Sequence, residues 1–491
     1  MTQPSRAGLL DDLRARFPAL PLIGTDQPES DRLPYEQDWR KRYQGRALAI
    51  VFPGSSLEVQ EIVRWCGMNQ VSLVPQGGNT SLVGGSVPNE SGTQLVLNLR
   101  RMNRILAVDA DNLSISVEAG CTLQQVQDAA IDAGLLFPLS LASEGSCTIG
   151  GNLATNAGGT QVLRFGTARD LCLGVQAVTA DGSVLNDLRS LRKDNTGYAT
   201  KDLLIGSEGT LAVITAATLR LFPRPRSQQA ALITCADIQA AVSLLALARK
   251  HLDANLTGFE VIHRDAYQIA QRHTPTQARV ADTLMSTTEG AAPDWLILLD
   301  AAGPQSAESL QTTLEELLSN AMHQGLALNA TLSTNQHQYR AMWQLRETIP
   351  MAEKIEGQMV KHDIAIPTSA VPAFVQTCRT RLAAAIPGCR IVCFGHLGDG
   401  NLHYNVQAPS GMPDHDFLRL YEQSVNQIVY DLVQELQGTL SAEHGIGQLK
   451  KAELAARADP VRLRWMRTIK QSLDPLGLMN PGRVIDSDAA N

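Results

Sequence analysis

Two histidines flank a glycine-rich turn in Phe394-Gly-His-Leu-Gly-Asp-Gly-Asn-Leu-His-Tyr-Asn-Val406, and farther along the chain an acid and an imidazole stand side by side in Ser441-Ala-Glu-His-Gly-Ile-Gly447. His396, His403 and Glu443 are residue types that suit a divalent, zinc-like ion, since three protein ligands leave one coordination position open for substrate. His444 would then remain free for proton transfer. For lone histidines a hydrogen-bonded hairpin is the commoner explanation, and the Glu443-His444 pair tips the balance toward a metal. A strand after Asn401 would point His403 and Asn405 to one face, and a turn over Leu397–Asn401 would bring His396 alongside. Asp399 suits the turn and His362 suits a solvent-facing position, so neither joins this set.

The first half of the chain offers different chemistry. Four clusters of small residues recur there: Val74-Pro-Gln-Gly-Gly-Asn-Thr-Ser-Leu-Val-Gly-Gly-Ser-Val-Pro88, Glu144-Gly-Ser-Cys-Thr-Ile-Gly-Gly-Asn-Leu-Ala-Thr-Asn-Ala-Gly-Gly159, Arg164-Phe-Gly-Thr-Ala-Arg-Asp170 and Ile205-Gly-Ser-Glu-Gly-Thr-Leu-Ala-Val-Ile214. Glycines let backbone amides encircle phosphate oxygens, and Asn79, Thr80 and Ser81 can add neutral donors. The first cluster lacks the lysine of a P-loop and the Rossmann spacing. Alone it could be a turn without a ligand. Several such turns are better explained by one large, flat cofactor lying against backbone.

The elements that must position these residues are short. Strands are predicted at Ala47–Phe52, Ser72–Pro75, Leu95–Leu99 and Ser114–Glu118, with a helix over Leu57–Asn69. Phe222-Pro-Arg-Pro-Arg-Ser227 breaks the pattern, because its prolines cannot donate to a ladder and restrict their predecessors. Beyond it the pattern predicts helices at Ile238–His251, Ala307–Gln324 and Val371–Ala385, and strands at Trp295–Leu299 and Arg390–Phe394. An α+β organisation follows. Its expected divisions are an N-terminal arm (1–45), a first domain (46–225), a second domain carrying the histidines (226–440), and a C-terminal segment (441–491) that completes the active site and packs on the first domain.

With 491 residues the chain can bury two or three cores, and its formal charge of −7 gives no general attraction to nucleic acid or anionic lipid. The eight cysteines are scattered without a C-x-x-C pair, which reads as buried thiols in a reducing compartment. Two acids interrupt the opening stretch and no segment sustains the ~20 apolar residues of a spanning helix. The expected location is cytoplasmic, without a membrane span.

The glycine clusters, in this order and followed by Gly-His-Leu-Gly-Asp-Gly-Asn-Leu-His and Ala-Glu-His-Gly-Ile-Gly, resemble the vanillyl-alcohol-oxidase type of FAD flavoproteins, and within it the D-2-hydroxyacid dehydrogenases. The resemblance runs from about Ala47 to Val484. It implies a PCMH-type FAD-binding domain joined to an α+β substrate-binding cap. Cofactor contacts are implied for Pro75, Gly77, Gly78, Asn79, Thr80, Gly84, Gly85, Ser146, Thr148, Gly150, Gly151, Asn152, Thr155, Asn156, Gly158, Gly159 and Ile214. FAD is expected to bind non-covalently, because Asn79 and Thr80 stand where a tethering histidine would sit.

The same resemblance implies His396, His403 and Glu443 as ligands of a divalent metal, expected to be Zn2+. It makes Asn405 a substrate contact and His444 the proton acceptor. Arg346 and Lys361 correspond to cations that hold the distal carboxylate in 2-hydroxyglutarate-like members, the other explanation being two solvated surface charges. Pro350 departs from that pattern, standing where some members carry a hydroxyl. The implied reaction is oxidation of a D-2-hydroxy acid, with D-2-hydroxyglutarate first and D-lactate as the alternative. An electron-transfer flavoprotein or a quinone is the expected acceptor, and an oxidase using dioxygen stays open. Oligomeric state is open too, a homodimer being the form entertained. Two other classes compete: a metal hydrolase whose glycine loops bind a phosphorylated substrate, and a non-catalytic flavin-binding module.

Overall fold

A computed structural model describes residues 5–286 and 293–486. The chain forms two compact units. The first comprises residues up to Gly158, Thr167–Arg224 and those from Glu443 onward; the second comprises Gly159–Gly166 and Pro225–Ala442. Residues expected as an N-terminal arm therefore cluster with the first unit, and a short excursion beginning at Gly159 clusters with the second.

In the first unit a four-stranded sheet runs in the order Leu22–Gly24, Ala47–Val51, Gln94–Asn98, Leu73–Gln76, the last three parallel. Its apolar runs are buried throughout, as expected of parallel strands covered on both faces. The helix Ser56–Asn69 begins where the Ser55 hydroxyl accepts the Glu58 amide, and ends where Gln70 turns left-handed. Trp65 is fully buried and its indole donates to Asp12, which fastens the opening helix Arg6–Arg16. A second, five-stranded sheet is antiparallel: Ile105–Asp109, Ser114–Glu118, Ala212–Arg220, Cys172–Thr179, Val184–Asp187.

The second unit is built on one seven-stranded antiparallel sheet, in the order Asn329–Leu332, Ser227–Cys235, Trp295–Gly303, Leu256–His263, Arg390–His396, Asn401–Gln407, Asp363–Ala365. Period-two alternation divides its side chains between two cores. Ile233, Val261, Ile297, Leu402, Tyr404 and Val406 pack with the helices Ile238–Leu252, Ala307–His323, Val371–Ala385 and Asp414–Glu435. Leu232, Ile262, Leu298, Val392 and Phe394 pack with Arg264–His273 and Gln336–Glu356. Because helices cover both faces, the strands read as unbroken apolar runs. Polar residues within those runs therefore stand out.

Candidate active site

Glu260 is such a residue, fully buried in Phe259-Glu-Val-Ile-His263 on the face shared with Gln336–Glu356. One of its oxygens meets His396 Nδ1 at 2.6 Å and the other accepts Arg346 Nε at 2.7 Å. Arg346 also lies over the Phe394 ring, its guanidinium carbon 4.9 Å from the centroid. Burial alone would raise the Glu260 pKa. His396 and Arg346 outweigh it and hold the carboxyl below its ordinary range.

The hairpin carries the histidines as its alternation requires. Asn401–Gln407 is a strand whose Leu402, Tyr404 and Val406 enter the core on one side, leaving His403 and Asn405 for the other. Gly400 adopts a left-handed turn at φ +82, where a Cβ would press on the Ile366 carbonyl. That turn brings the His396 and His403 rings to 5.7 Å between centroids. With Nδ1 engaged by Glu260, Nε2 is the His396 atom that a metal would use, and the two imidazoles are residue types that fit a divalent ion.

A second carboxylate repeats the device. Glu353, two helical turns after Arg346, is 1% exposed; its Oε2 accepts Lys361 Nζ at 2.8 Å and its Oε1 accepts Asn405 Nδ2 at 2.7 Å. Each predicted substrate cation is thus already paired. The Arg346 side chain is 8% exposed and that of Lys361 28%, which corrects the picture of two solvated surface charges. Pro350 lies inside the same helix on an exposed position, so the residue that departs from the family pattern is at least on the relevant element. His362 is buried, not solvent-facing: Nδ1 meets the Tyr404 carbonyl at 2.7 Å and Nε2 meets Asn426 Oδ1 at 3.0 Å. Asp399 does serve the turn, accepting the Asn401 amide.

The second unit ends beside this hairpin. Thr439 exchanges backbone hydrogen bonds with Ala365, and Ala442 N donates to the Asp363 carbonyl, while Asp363 pairs in register with His403. Glu443 is the next residue in the chain. It opens the last segment of the first unit together with His444.

In the first unit Leu73–Gln76 runs directly into the first glycine cluster, whose Gly77 and Gly78 abut the second cluster. A Cβ on Gly77 would lie 2.2 Å from Thr148 Oγ1, and one on Gly78 would lie 1.9 Å from the Ser146 carbonyl oxygen. Close packing against protein backbone is therefore enough to require glycine at 78. The Asn79 side chain is committed within the protein. Its side chain is occupied by the Pro34 and Gln37 carbonyls and by Ser86, and is not an idle donor for a ligand.

Thr148 is 4% exposed, does not cap the helix Ile149–Ala154, and has no hydrogen-bond partner for Oγ1 among the described residues. A buried hydroxyl without a partner beside Gly77 and Gly151 is what a bound polar ligand would satisfy, so the cradle fits a dinucleotide. Gly150 donates to the Ala119 carbonyl, and Ala119 donates to Thr215 next to Ile214, linking the second cluster to the five-stranded sheet. Thr155 Oγ1 donates to Gly151 O, Asn156 accepts the Arg169 amide, and Asn152 is buried. Gly84 is left-handed against Tyr43, and Gly85 O accepts from Asn480. Pro75 packs under Gly209; Thr80 makes no polar contact among the described residues, and the chain leaves the first unit after Gly158.

Sequence reasoning passed over Glu260, Glu353 and Glu208. The first could have been found as a lone acid in an apolar strand, and the second by its helical spacing from Arg346. Glu208, 8% exposed, stands inside a cluster that was read only for its glycines; burial pushes its carboxyl up although the Ile446 and Gly447 amides draw it down.

Comparison with known proteins adds a second line. The family model "FAD linked oxidases, C-terminal domain" matches residues 224–484, and "FAD binding domain" matches 47–187. The D-2-hydroxyglutarate dehydrogenase of Xanthomonas citri pv. viticola is 36% identical over 472 residues, covering 96% of each chain. The mitochondrial enzyme of that name from Rattus norvegicus is 35% identical, covering 92% of this chain and 81% of its own. Among solved structures, p-cresol methylhydroxylase with substrate bound superposes with a TM-score of 0.75 at 16% identity, over 98% of this chain and 97% of its own. The fold is therefore that of PCMH-type flavoproteins.

Proposed function

We propose that this chain, which belongs to the FAD-binding D-2-hydroxyacid dehydrogenase family of FAD-linked oxidases, oxidises D-2-hydroxyglutarate to 2-oxoglutarate. The observation that carries the reading is the gathering of His396 and Arg346 by buried Glu260, and of Asn405 and Lys361 by buried Glu353, with the His403 ring beside that of His396. An apolar or hydrolytic role would not require paired cations beside imidazoles. The names of the relatives supply the substrate.

When bound, FAD supplies the hydride acceptor and a divalent ion, proposed as Zn2+, polarises the substrate hydroxyl. His396 and His403 would hold the ion with Glu443, the residue after Ala442. Glu260 fixes the ring orientation of His396 from behind. Asn405, giving one amide hydrogen to Glu353 and accepting the His362 amide, is held rigid and would meet the substrate through its second N–H. His444 accepts the hydroxyl proton as the C2 hydrogen departs with its electron pair. Arg346 and Lys361 receive the distal carboxylate, Arg346 through the guanidinium nitrogens that Glu260 does not use.

FAD is held non-covalently in this reading, by Gly77–Gly85 and Ser146–Gly159. An electron-transfer flavoprotein or a quinone would be the acceptor for the electrons that FAD takes up. A cytoplasmic location goes with eight cysteines that are all free thiols. No helix among the described residues is long and apolar enough to cross a membrane.

A second reading, D-lactate, draws on a specific observation: Glu260 and Glu353 already balance both cations, so the pocket carries no spare positive charge from those four residues. An anaerobic panel of D- and L-2-hydroxy acids, followed by flavin bleaching, separates the readings. D-2-hydroxyglutarate should bleach the flavin fastest and L-isomers should not. Strong bleaching by D-lactate with none by D-2-hydroxyglutarate would replace the substrate, and a colourless protein would remove the flavin reaction altogether.

A further inference from the structure

We propose that Glu208 is a positioning residue for the proton-accepting segment, tying Glu443-His444 to the glycine loop through two backbone amides. The inference rests on the reading of His444 as the proton acceptor. Glu208 Oε1 accepts the Ile446 amide at 2.7 Å and Oε2 accepts the Gly447 amide at 2.8 Å. When both oxygens of one carboxylate grip consecutive amides, the peptide between them is held against rotation as well as translation. Only Gly445 separates that peptide from His444.

Gly445 is shaped for this contact. Its φ is +78, and a Cβ there would stand 2.8 Å from Glu208 Oε1. Gly447, left-handed at φ +51, lies on the Val83 carbonyl. Next to it the Gln448 amide donates to Val83 O and the Gln448 side chain donates to Gly84 O. Asn480 closes the arrangement from the other side, its amide donating both to Gly85 O and to the backbone carbonyl of Glu208. Glu208 itself is a side-chain-bearing residue in a left-handed conformation, φ +53. Stretches distant in sequence thus meet around this one buried residue. Burying an acid whose direct partners are neutral amides is costly for stability alone, whereas fixing an imidazole relative to the cofactor loop returns rate.

The test uses the FAD-loaded enzyme and a graded pair, Glu208→Gln and Glu208→Ala, with Gly445→Ala as an approach from the opposite partner. Glutamine keeps one acceptor and alanine keeps none. FAD content should stay near wild type in all three, because the Gln448 and Asn480 contacts to the glycine loop remain. The limiting rate of anaerobic flavin reduction by D-2-hydroxyglutarate should fall roughly 10- to 100-fold, more for alanine than for glutamine, with half-saturation little changed. Gly445→Ala should show the same split even if the Glu208 variants do not fold. An unchanged limiting rate, or loss of FAD from a folded variant as the main effect, would overturn the inference. His444→Ala run alongside separates the two ideas: if it is slow while the Glu208 variants are not, only the role of Glu208 falls, and if it is as fast as wild type the proton-acceptor reading falls first.

Discussion

Two buried glutamates, one in each unit, show how differently the halves of this molecule are made. Glu208 in the first unit is satisfied by backbone amides, and burial leaves its carboxyl raised. Glu260 in the second is satisfied by His396 and Arg346, and their charge overcomes burial to lower it. Comparable burial has opposite consequences because amides, with Lys450 and Arg483 acting only through their charge, compensate the desolvation of Glu208 less fully than the directly bonded His396 and Arg346 compensate that of Glu260. The first unit shapes its site by removing side chains, so that loop meets loop at Gly77 and Gly78. The second shapes its site by pairing charges inside an apolar sheet.

The largest test of this contrast is at the proposed proton acceptor. His444→Ala should slow anaerobic flavin reduction by roughly 10²–10⁴-fold while metal content and FAD stay at wild-type ratios. His396→Ala and His403→Ala should instead lose the metal and keep FAD, which elemental analysis and flavin absorbance resolve. Metal loss accompanied by equal FAD loss would erase the distinction between the units.

Next in size is the charge pairing. Glu260→Leu leaves Arg346 buried without its carboxylate and should destabilise the protein by about 3–5 kcal/mol, read from chemical denaturation. Adding Arg346→Met should recover most of that loss. A double variant no better than the single one would show that the pair is not the source of the cost. Lys361→Met exposes the partly solvated version of the same device. Its effect should be about 1–2 kcal/mol, reduced by solvent access to the ammonium, and should weigh more on D-2-hydroxyglutarate than on D-lactate.

Glycine substitutions probe the other unit. Gly78→Ala meets a backbone carbonyl and Gly77→Ala meets a hydroxyl that can turn, so FAD loading should suffer more at 78. Acid precipitation should leave the yellow colour in solution for wild type. The smallest effect concerns pH. Because the folded-state pKa of Glu208 is raised above its ordinary 4.5, its favourable contribution is present at low pH and is lost as pH rises through the folded value. The stability of wild type relative to Glu208→Gln should therefore fall as pH rises above the ordinary carboxylate range, read from melting experiments. A gap that widens with pH would reverse the sign assigned to Glu208.

Local pattern determined much of this protein. The helix Val371–Ala385 and the strand Ser114–Glu118 lie where periodicity puts them, and the strand after Asn401 turns His403 and Asn405 to one face as alternation demands. The glycine spacing and the two histidine motifs were legible because each is contiguous, and motif order was enough to identify the family. Partnership was not legible. That Arg346 and Lys361 are neutralised by Glu260 and Glu353, that His362 is buried between Tyr404 and Asn426, and that Asn79 is spent on Pro34 and Gln37 all depend on residues brought together across long stretches of chain. A side chain's type says what it can bind, but its charge state and availability are set by what packs against it once water is removed, and only the tertiary structure decides that.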